Sequence, residues 1–214
     1  MARTKIKRKG DNLIKDALIL FGITVILGLI LGCIYIATKN PIDEAAEAAK
    51  QASYKNVFTG YEGVVTQTDD EFLAHIEGMA DEEGKIMDVA ITDSVVVNDA
   101  SGNRIGYAFI AQSNGYGGAL SVSVGVSVDG VVTGIDIVSM NETAGLGAKC
   151  TEADFKAQYV GKSGEIVVSK SGASAENEVD ALSGATITTN AVTRAVNACI
   201  SVVNELGGKE AADE

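Results

Sequence analysis

Histidine occurs once, proline once and cysteine three times in 214 residues, and each scarcity closes off a class of chemistry. The lone His75 cannot anchor a metal site without carboxylate help, and it leaves a hydrolase triad without a partner for its nucleophile. Cys33, Cys150 and Cys199 lie far apart, with no CxxC pair and no Cys/His cluster. That argues against an iron–sulfur or zinc site built by this chain alone. Cys150 and Cys199 read as two small buried hydrophobes, with a disulfide as the alternative. A single proline beside 46% hydrophobic residues rules out a disordered or collagen-like chain. No GxGxxG sequence offers a dinucleotide fingerprint for NADH.

Basic residues are scarce once the first sixteen positions are passed. Six of the 17 lie there (Arg3, Lys5, Lys7, Arg8, Lys9 and Lys15), against Asp11 and Asp16. The remainder of the chain has 11 basic and 27 acidic residues, a net charge of −16. Such a surface repels phosphate backbones, so nucleic acid is not an expected partner. An anionic ligand needs a locally favourable pocket instead.

One uncharged run does exist: Ala17 to Ala37 reads ALILFGITVILGLILGCIYIA. At ~1.5 Å per residue it covers ~31 Å, the thickness of a bilayer core. It is too long for the core of a cleaved signal, and it continues past Cys33, unlike a lipoprotein cleavage box at Ile30–Cys33. The basic cluster before it places the N-terminus in the cytoplasm and the rest outside. Asn40-Pro41 is expected to break the helical pattern. The resulting division is a cytoplasmic basic segment (1–16), a transmembrane helix (17–37), a helical stalk (38–60), a main domain (61–207) and an acidic tail (208–214).

Within the domain, Ile86 to Ser139 alternates as β structure. Ser94–Val97 and Arg104–Ala111 flank a turn-rich loop and form one hairpin. Leu120 to Val128 and Val131 to Ile137 form a second around Asp129-Gly130, read as a two-residue type I′ turn. Its register pairs Val128 with Val131, Val126 with Thr133, Val124 with Ile135 and Val122 with Ile137. Extended further, it sets Gly117 opposite Glu142, so the loops 114–118 and 141–147 meet at one end of the sheet. Thr151 is expected to cap a short helix to Tyr159. Glu165–Ser169 is a strand candidate. A last helix runs from about Thr188 to Leu206, with an apolar stripe through Val192, Ala195, Val196, Cys199 and Val203, and ends at Gly207-Gly208. The fold class is α+β: an antiparallel sheet with packed helices behind a single N-terminal transmembrane helix.

The loop Asp180-Ala181-Leu182-Ser183-Gly184-Ala185-Thr186 feeds that helix. Small residues at a helix N-terminus present unpaired N–H groups to an anion, without needing a cationic side chain. On physics alone, the Ser, Thr and Asn residues there are as well read as helix caps.

This sequence resembles the flavinylation motif of the FMN-binding domain family. There the threonine ending Ser-Gly-Ala-Thr carries FMN as a phosphoester, attached by a flavin transferase that uses FAD. Glu142-Thr143-Ala144-Gly145-Leu146-Gly147 is similar to the family's Glu-Thr-Pro-Gly-Leu-Gly loop, and Gly115-Tyr116-Gly117-Gly118 to its upstream glycine turn. The three motifs stand in the family's order and span roughly residues 105–206. Two departures stand out: Ala144 replaces the usual proline, which loosens that loop, and Met140-Asn141 replaces a His-Lys-like pair, which removes the flavin contacts implied for those two side chains.

The resemblance implies covalent FMN on Thr186, with Gly184, Ser183, Ala185 and the acidic Asp180 of the attachment motif around it. Glu142 and Thr143 are implied at the ribityl chain or ring edge, Leu146 against the ring, Gly145 and Gly147 in their loop, and Gly117 and Gly118 opposite. Tyr116 either stacks on the ring or simply packs. Within the family, the short single-span chain is most similar to the Rnf-type subunits of ion-translocating ferredoxin:NAD oxidoreductases. The function implied is an electron relay in a membrane redox complex, with other membrane subunits, lipid and a maturing flavin transferase as partners. The third subunit of a sodium-translocating NADH:quinone reductase and an anchored extracytoplasmic flavin reductase are the alternatives.

Overall fold

A computed structural model describes residues 13–58 and 65–210. Residues 1–12, most of the basic segment, and 59–64, where stalk and domain were expected to join, lie outside the described residues, as does the end of the acidic tail. The chain forms two units, residues 1–47 and 48–214.

The described part of the first unit belongs to one long helix, α1 (Leu13–Asn56), which contains a stretch long and apolar enough to cross a bilayer. Pro41 lies inside this helix and does not end it. Proline removes one N–H and crowds the preceding turn. Here the Asp43–Lys50 run after it, mostly Ala, Glu and Lys and so good at forming helix, outweighs that one lost bond.

The second unit starts with the last turns of α1. Tyr54, Val57 and Phe58, expected in a stalk, are instead buried with Val95, Val97, Ala108 and Ile110 of the sheet. The five-stranded sheet is antiparallel throughout, in the order β1 (Val65–Gln67), β2 (Ala90–Asn98), β3 (Arg104–Asn114), β4 (Ala119–Ser127) and β5 (Val132–Ser139). Its other face is covered by α4 (Thr186–Glu210), which packs on β3 and β4, together with the short α2 (Asp70–Met79) and α3 (Ala153–Ala157). A small parallel pair, β6 (Val167–Ser169) with β7 (Glu178–Asp180), lies beside α4.

Leu120, Val122, Val124 and Val126 are all fully buried against this second layer, as their alternation predicts. Val192, Ala195, Val196, Cys199 and Val203 of α4 meet them. Cys150 and Cys199 are free buried thiols. Burial pushes both up, Cys150 to about 11 with a further contribution from the Glu142 charge.

The β4–β5 connection differs from the expected two-residue turn. Ser127 and Val131 enclose a three-residue loop: Gly130 N donates to Ser127 O at 3.0 Å and Ser127 N to Val131 O at 2.8 Å. Gly130 has φ +75°, while Asp129 stays outside the left-handed region. That is the type I turn with a glycine bulge, not type I′. Val126 therefore pairs with Val132, not Thr133. Thr133 bulges out, its hydroxyl donating to Val57 O at 2.7 Å. The odd loop and the bulge cancel, so Val124–Ile135 and Val122–Ile137 pair as expected.

Three further expectations shift. Thr151 does not cap α3: it ends a 3₁₀ turn (Gly147–Thr151), and its hydroxyl donates to Ala148 O at 2.9 Å. The strand near 165–169 is limited to Val167–Ser169. Helix α4 begins at Thr186 rather than Thr188 and runs through Gly207-Gly208 to Glu210.

Glycines let the end of α1 approach the sheet. A Cβ on Gly134 would lie 2.8 Å from Val57 O and 3.0 Å from its Cα, both backbone atoms that cannot swing aside. Gly134→Val is expected to destabilise the domain by about 2–3 kcal/mol. A drop in thermal midpoint of several degrees checks this, and an unchanged midpoint refutes the seat.

Asp136 fastens the same region. It accepts hydrogen bonds from Asn56 Nδ2 (3.0 Å) and from Lys156 Nζ of α3 (2.9 Å). Burial alone would raise its carboxyl, but these bonds and the Lys156 charge outweigh that and hold it below the ordinary value. Its contribution is thus complete above the ordinary carboxylate pKa of ~3.9 and is lost as pH falls through the lower folded-state value. Asp136→Asn should lower unfolding stability in urea at neutral pH, and the gap to wild type should close below about pH 4.

Candidate functional site

The sheet end where β3 turns into β4 brings the two glycine loops together, as the register predicts. One carboxylate joins them. Glu142 Oε1 accepts from the backbone N–H of Tyr116 (2.8 Å) and Gly117 (3.2 Å), while Oε2 accepts the Thr188 hydroxyl proton (2.9 Å). A single half-buried side chain thus ties the upstream glycine turn, its own loop and the first turn of α4. Asn141 Nδ2 adds a 3.4 Å bond to Gly117 O. From the other side, Arg194 of α4 donates to Asn114 O at 3.0 Å.

The glycines make room for this carboxylate. A Cβ on Gly115 or Gly147 would overlap the Glu142 carboxylate, and one on Gly117 would overlap the Asn141 carbonyl. Larger residues would force the loops apart.

Between the loops and α4 lies a cleft of about 530 Å³, within the ~300–1,000 Å³ usual for small-molecule sites. Seven of the expected residues line it: Thr186, Gly184 and Ala185 from the Asp180–Thr186 loop, and Glu142, Thr143, Leu146 and Gly147 from the second loop. Ser183, Gly117, Gly118 and Gly145 stand in the same loops without lining it. Asp180 lies elsewhere, in a depression beside Gln158 and Glu178, where its carboxylate accepts from Ala173 N.

Ile187 and Thr188 line the cleft but were not expected there. Starting the helix at Thr188 hid them; starting it at Thr186 puts all three in its first turn. Tyr116 also lines the cleft, and with 72% exposure it is not packed into the core. Both Glu142 oxygens have protein partners, so this residue joins the segments that shape the cleft.

The start of α4 is open to an anion. Ala185 stands at the cap position, its carbonyl accepting from Thr189 N at 3.1 Å. An alanine side chain cannot cap, so the amides of Thr186, Ile187 and Thr188 have no side-chain partner among the described residues. No acidic residue occupies the first turn. Uncapped amides at the positive end of a 25-residue helix favour a phosphate.

Anchor, sheet and phosphate-receptive cleft together define the class: a membrane-anchored domain built to hold a phosphorylated cofactor. A family model described as FMN-binding domain matches residues 115–201, which take in the glycine-rich segments 115–118 and 142–147 and the Asp180–Thr186 loop. The chain is 32% identical over 211 residues, 95% of this chain and 98% of the relative, to the G-type subunit of the Na(+)-translocating ferredoxin:NAD(+) oxidoreductase complex of Acetobacterium woodii. It is 40% identical over 110 residues, 50% of this chain and 60% of the relative, to the G-type subunit of the proton-translocating ferredoxin:NAD(+) oxidoreductase complex of Clostridium ljungdahlii. The crystal structure of Shewanella oneidensis NqrC shares the fold, with a TM-score of 0.50 at 21% identity over 72% of this chain and 88% of that one. The chain belongs to the family of G-type subunits of ion-translocating ferredoxin:NAD(+) oxidoreductase complexes.

Glu142→Ala should cost about 1–3 kcal/mol through its three lost hydrogen bonds, and amide exchange should rise at Tyr116 and Gly117. Unchanged exchange at both would show that the glycine turn is held by something else.

Proposed function

We propose that this chain is the electron-relaying subunit of a membrane-bound, ion-translocating ferredoxin:NAD(+) oxidoreductase, with FMN esterified through its phosphate to Thr186. The observation that carries the attachment site is the fate of four neighbouring hydroxyls. Thr188 and Thr189 are fully buried with their hydroxyls hydrogen-bonded, and Ser183 does not line the cleft. Thr186 lines it, in the uncapped first turn, and nothing among the described residues hydrogen-bonds its hydroxyl. The residues present therefore fit a phosphoester at this position.

Attachment requires a flavin transferase and FAD as donor. Thr186 Oγ1 displaces AMP from the phosphoanhydride: one O–P bond forms, one breaks, and the hydroxyl proton passes to a base of the transferase. Bound FMN supplies reversible electron acceptance. The chain's own residues hold the phosphate on the amides of Thr186–Thr188, offer the apolar sides of Tyr116, Leu146 and Ile187 to a ring, and fix the cleft through Glu142. The acidic surface disfavours extra negative charge on the reduced flavin and lowers its potential.

The six basic residues before the span favour a cytoplasmic N-terminus and an extracytoplasmic FMN domain. There the tether prevents loss of a dissociated cofactor. Lipid around the span and other subunits of the complex complete the surroundings. The ferredoxin:NAD(+) assignment is preferred over an NADH:quinone reductase because the likeness to the Acetobacterium woodii protein extends over 98% of that relative.

The test is expression of the full chain with a flavin transferase, followed by denaturation and in-gel flavin fluorescence. Wild type and Thr186→Ser should fluoresce and Thr186→Ala should not. A dark wild-type band beside an active transferase refutes the flavin, and a bright Thr186→Ala band refutes the residue.

A further inference from the structure

Beneath the attachment turn runs a line of buried hydroxyls that the reading above does not use. Thr189, fully buried in the second turn of α4, accepts the Leu182 N–H on its Oγ1 at 3.0 Å and donates its proton to Ala185 O at 3.1 Å. Ala185 N donates back to Leu182 O at 2.9 Å, closing the turn over Gly184, whose φ is +75°. Thr193 Oγ1 in turn donates to Thr189 O at 2.9 Å, and lies 2.9 Å from Tyr159 OH. The one Thr193 proton is spent on Thr189, so the phenol is the donor in that last bond. Burial pushes the Tyr159 phenol up, which keeps that proton in place.

A hydroxyl has one proton and two lone pairs, so Thr189 can grip both ends of the Leu182–Ala185 turn at once. Valine has the same shape and can grip neither. The sequence alone reads as a helix starting near Thr188. In the structure the helix starts one half-turn earlier, at Thr186, and the Thr189 hydroxyl adds side-chain bonds to the backbone bond from Thr189 N to Ala185 O that crosses from the helix to the chain before it.

We propose that Thr189 is a positioning residue for attachment at Thr186: its hydroxyl locks the Leu182–Ala185 turn, so that the first turn of α4 forms and presents the Thr186 hydroxyl to the transferase. This inference rests on Thr186 being the attachment point. Thr189 touches neither the flavin nor the transferred phosphate.

The experiment uses the full chain in detergent with transferase and FAD, comparing wild type, Thr189→Val, Thr189→Ser and Thr193→Val. Initial flavinylation rates, thermal midpoints and amide exchange across residues 182–188 are measured together. Thr189→Val should react about tenfold more slowly, the loss of roughly one good hydrogen bond's positioning, and should lose protection at the Leu182 amide. Thr189→Ser should recover both. Thr193→Val removes an equally buried hydroxyl that does not touch the turn, and it calibrates simple loss of stability. Equal slowing of the two valine variants at an equal fall in midpoint overturns the proposal. So does a wild-type rate for Thr189→Val, or a Leu182 amide that stays protected in it. A dark wild type overturns the attachment reading itself, and a bright one with any of these results overturns only the role of Thr189.

Discussion

The carboxylate of Glu142 is the constraint on which the site depends. Its two oxygens take two backbone amides and one hydroxyl from segments that are distant in sequence. Charge-assisted bonds of this kind are stronger than neutral ones and tolerate little displacement. The pattern of glycines follows from it. Gly115 and Gly147 leave the volume that the carboxylate fills, and Gly117 lets the Asn141 backbone pass beside it. Three motifs that look independent along the chain are thus one object in space. At Gly115, Gly117 and Gly147 a side chain would collide with Glu142 or with Asn141 beside it.

The start of α4 obeys the opposite logic. Most helices cap their first amides with Ser, Thr, Asp or Asn. Here hydroxyls are abundant, yet none caps. Thr188 is turned toward Glu142 and Thr189 toward Leu182, while alanine holds the cap position. The amides are left open where the helix start offers positive potential to a phosphate. A charged side chain would do the same locally, but it would also attract the many carboxylates of this surface.

Much of this was legible in the sequence. The β4–β5 alternation and the buried stripe of α4 follow from their periods, while the central register agrees because the three-residue loop and the bulge at Thr133 offset one another. The misses have physical reasons. Asp129-Gly130 resembles a type I′ turn, but only Gly130 adopts a positive φ, whereas Met87-Asp88 adopts two (53° and 63°) without the expected glycine. Within the main domain no element is expected before Ile86, yet Asp69 caps α2 through Glu71 N and Phe72 N, and α2 buries Phe72 and Ile76 one turn apart. That cap signal was present but lay in a polar stretch. The ends of α1 and α4 were misplaced because local breakers, Pro41 and Gly207-Gly208, were outweighed by the helices around them. The start of α4 was misplaced because no side chain caps it, and the Leu182 N–H to Thr189 Oγ1 bond next to it follows no standard capping spacing.

On the proposed reading, the openness of the cleft and the covalent link explain one another. Tyr116, Leu146 and Ile187 line it while remaining 72%, 44% and 53% exposed. A pocket that leaves its apolar walls so wet removes little surface from water and holds a free cofactor weakly. Closing it would improve retention but would separate the flavin from its redox partners. A phosphoester at Thr186 removes that conflict, because retention no longer depends on burial. The protein can then keep the cleft shallow and spend its hydrogen bonds on shaping the loops, which is where both oxygens of Glu142 are found.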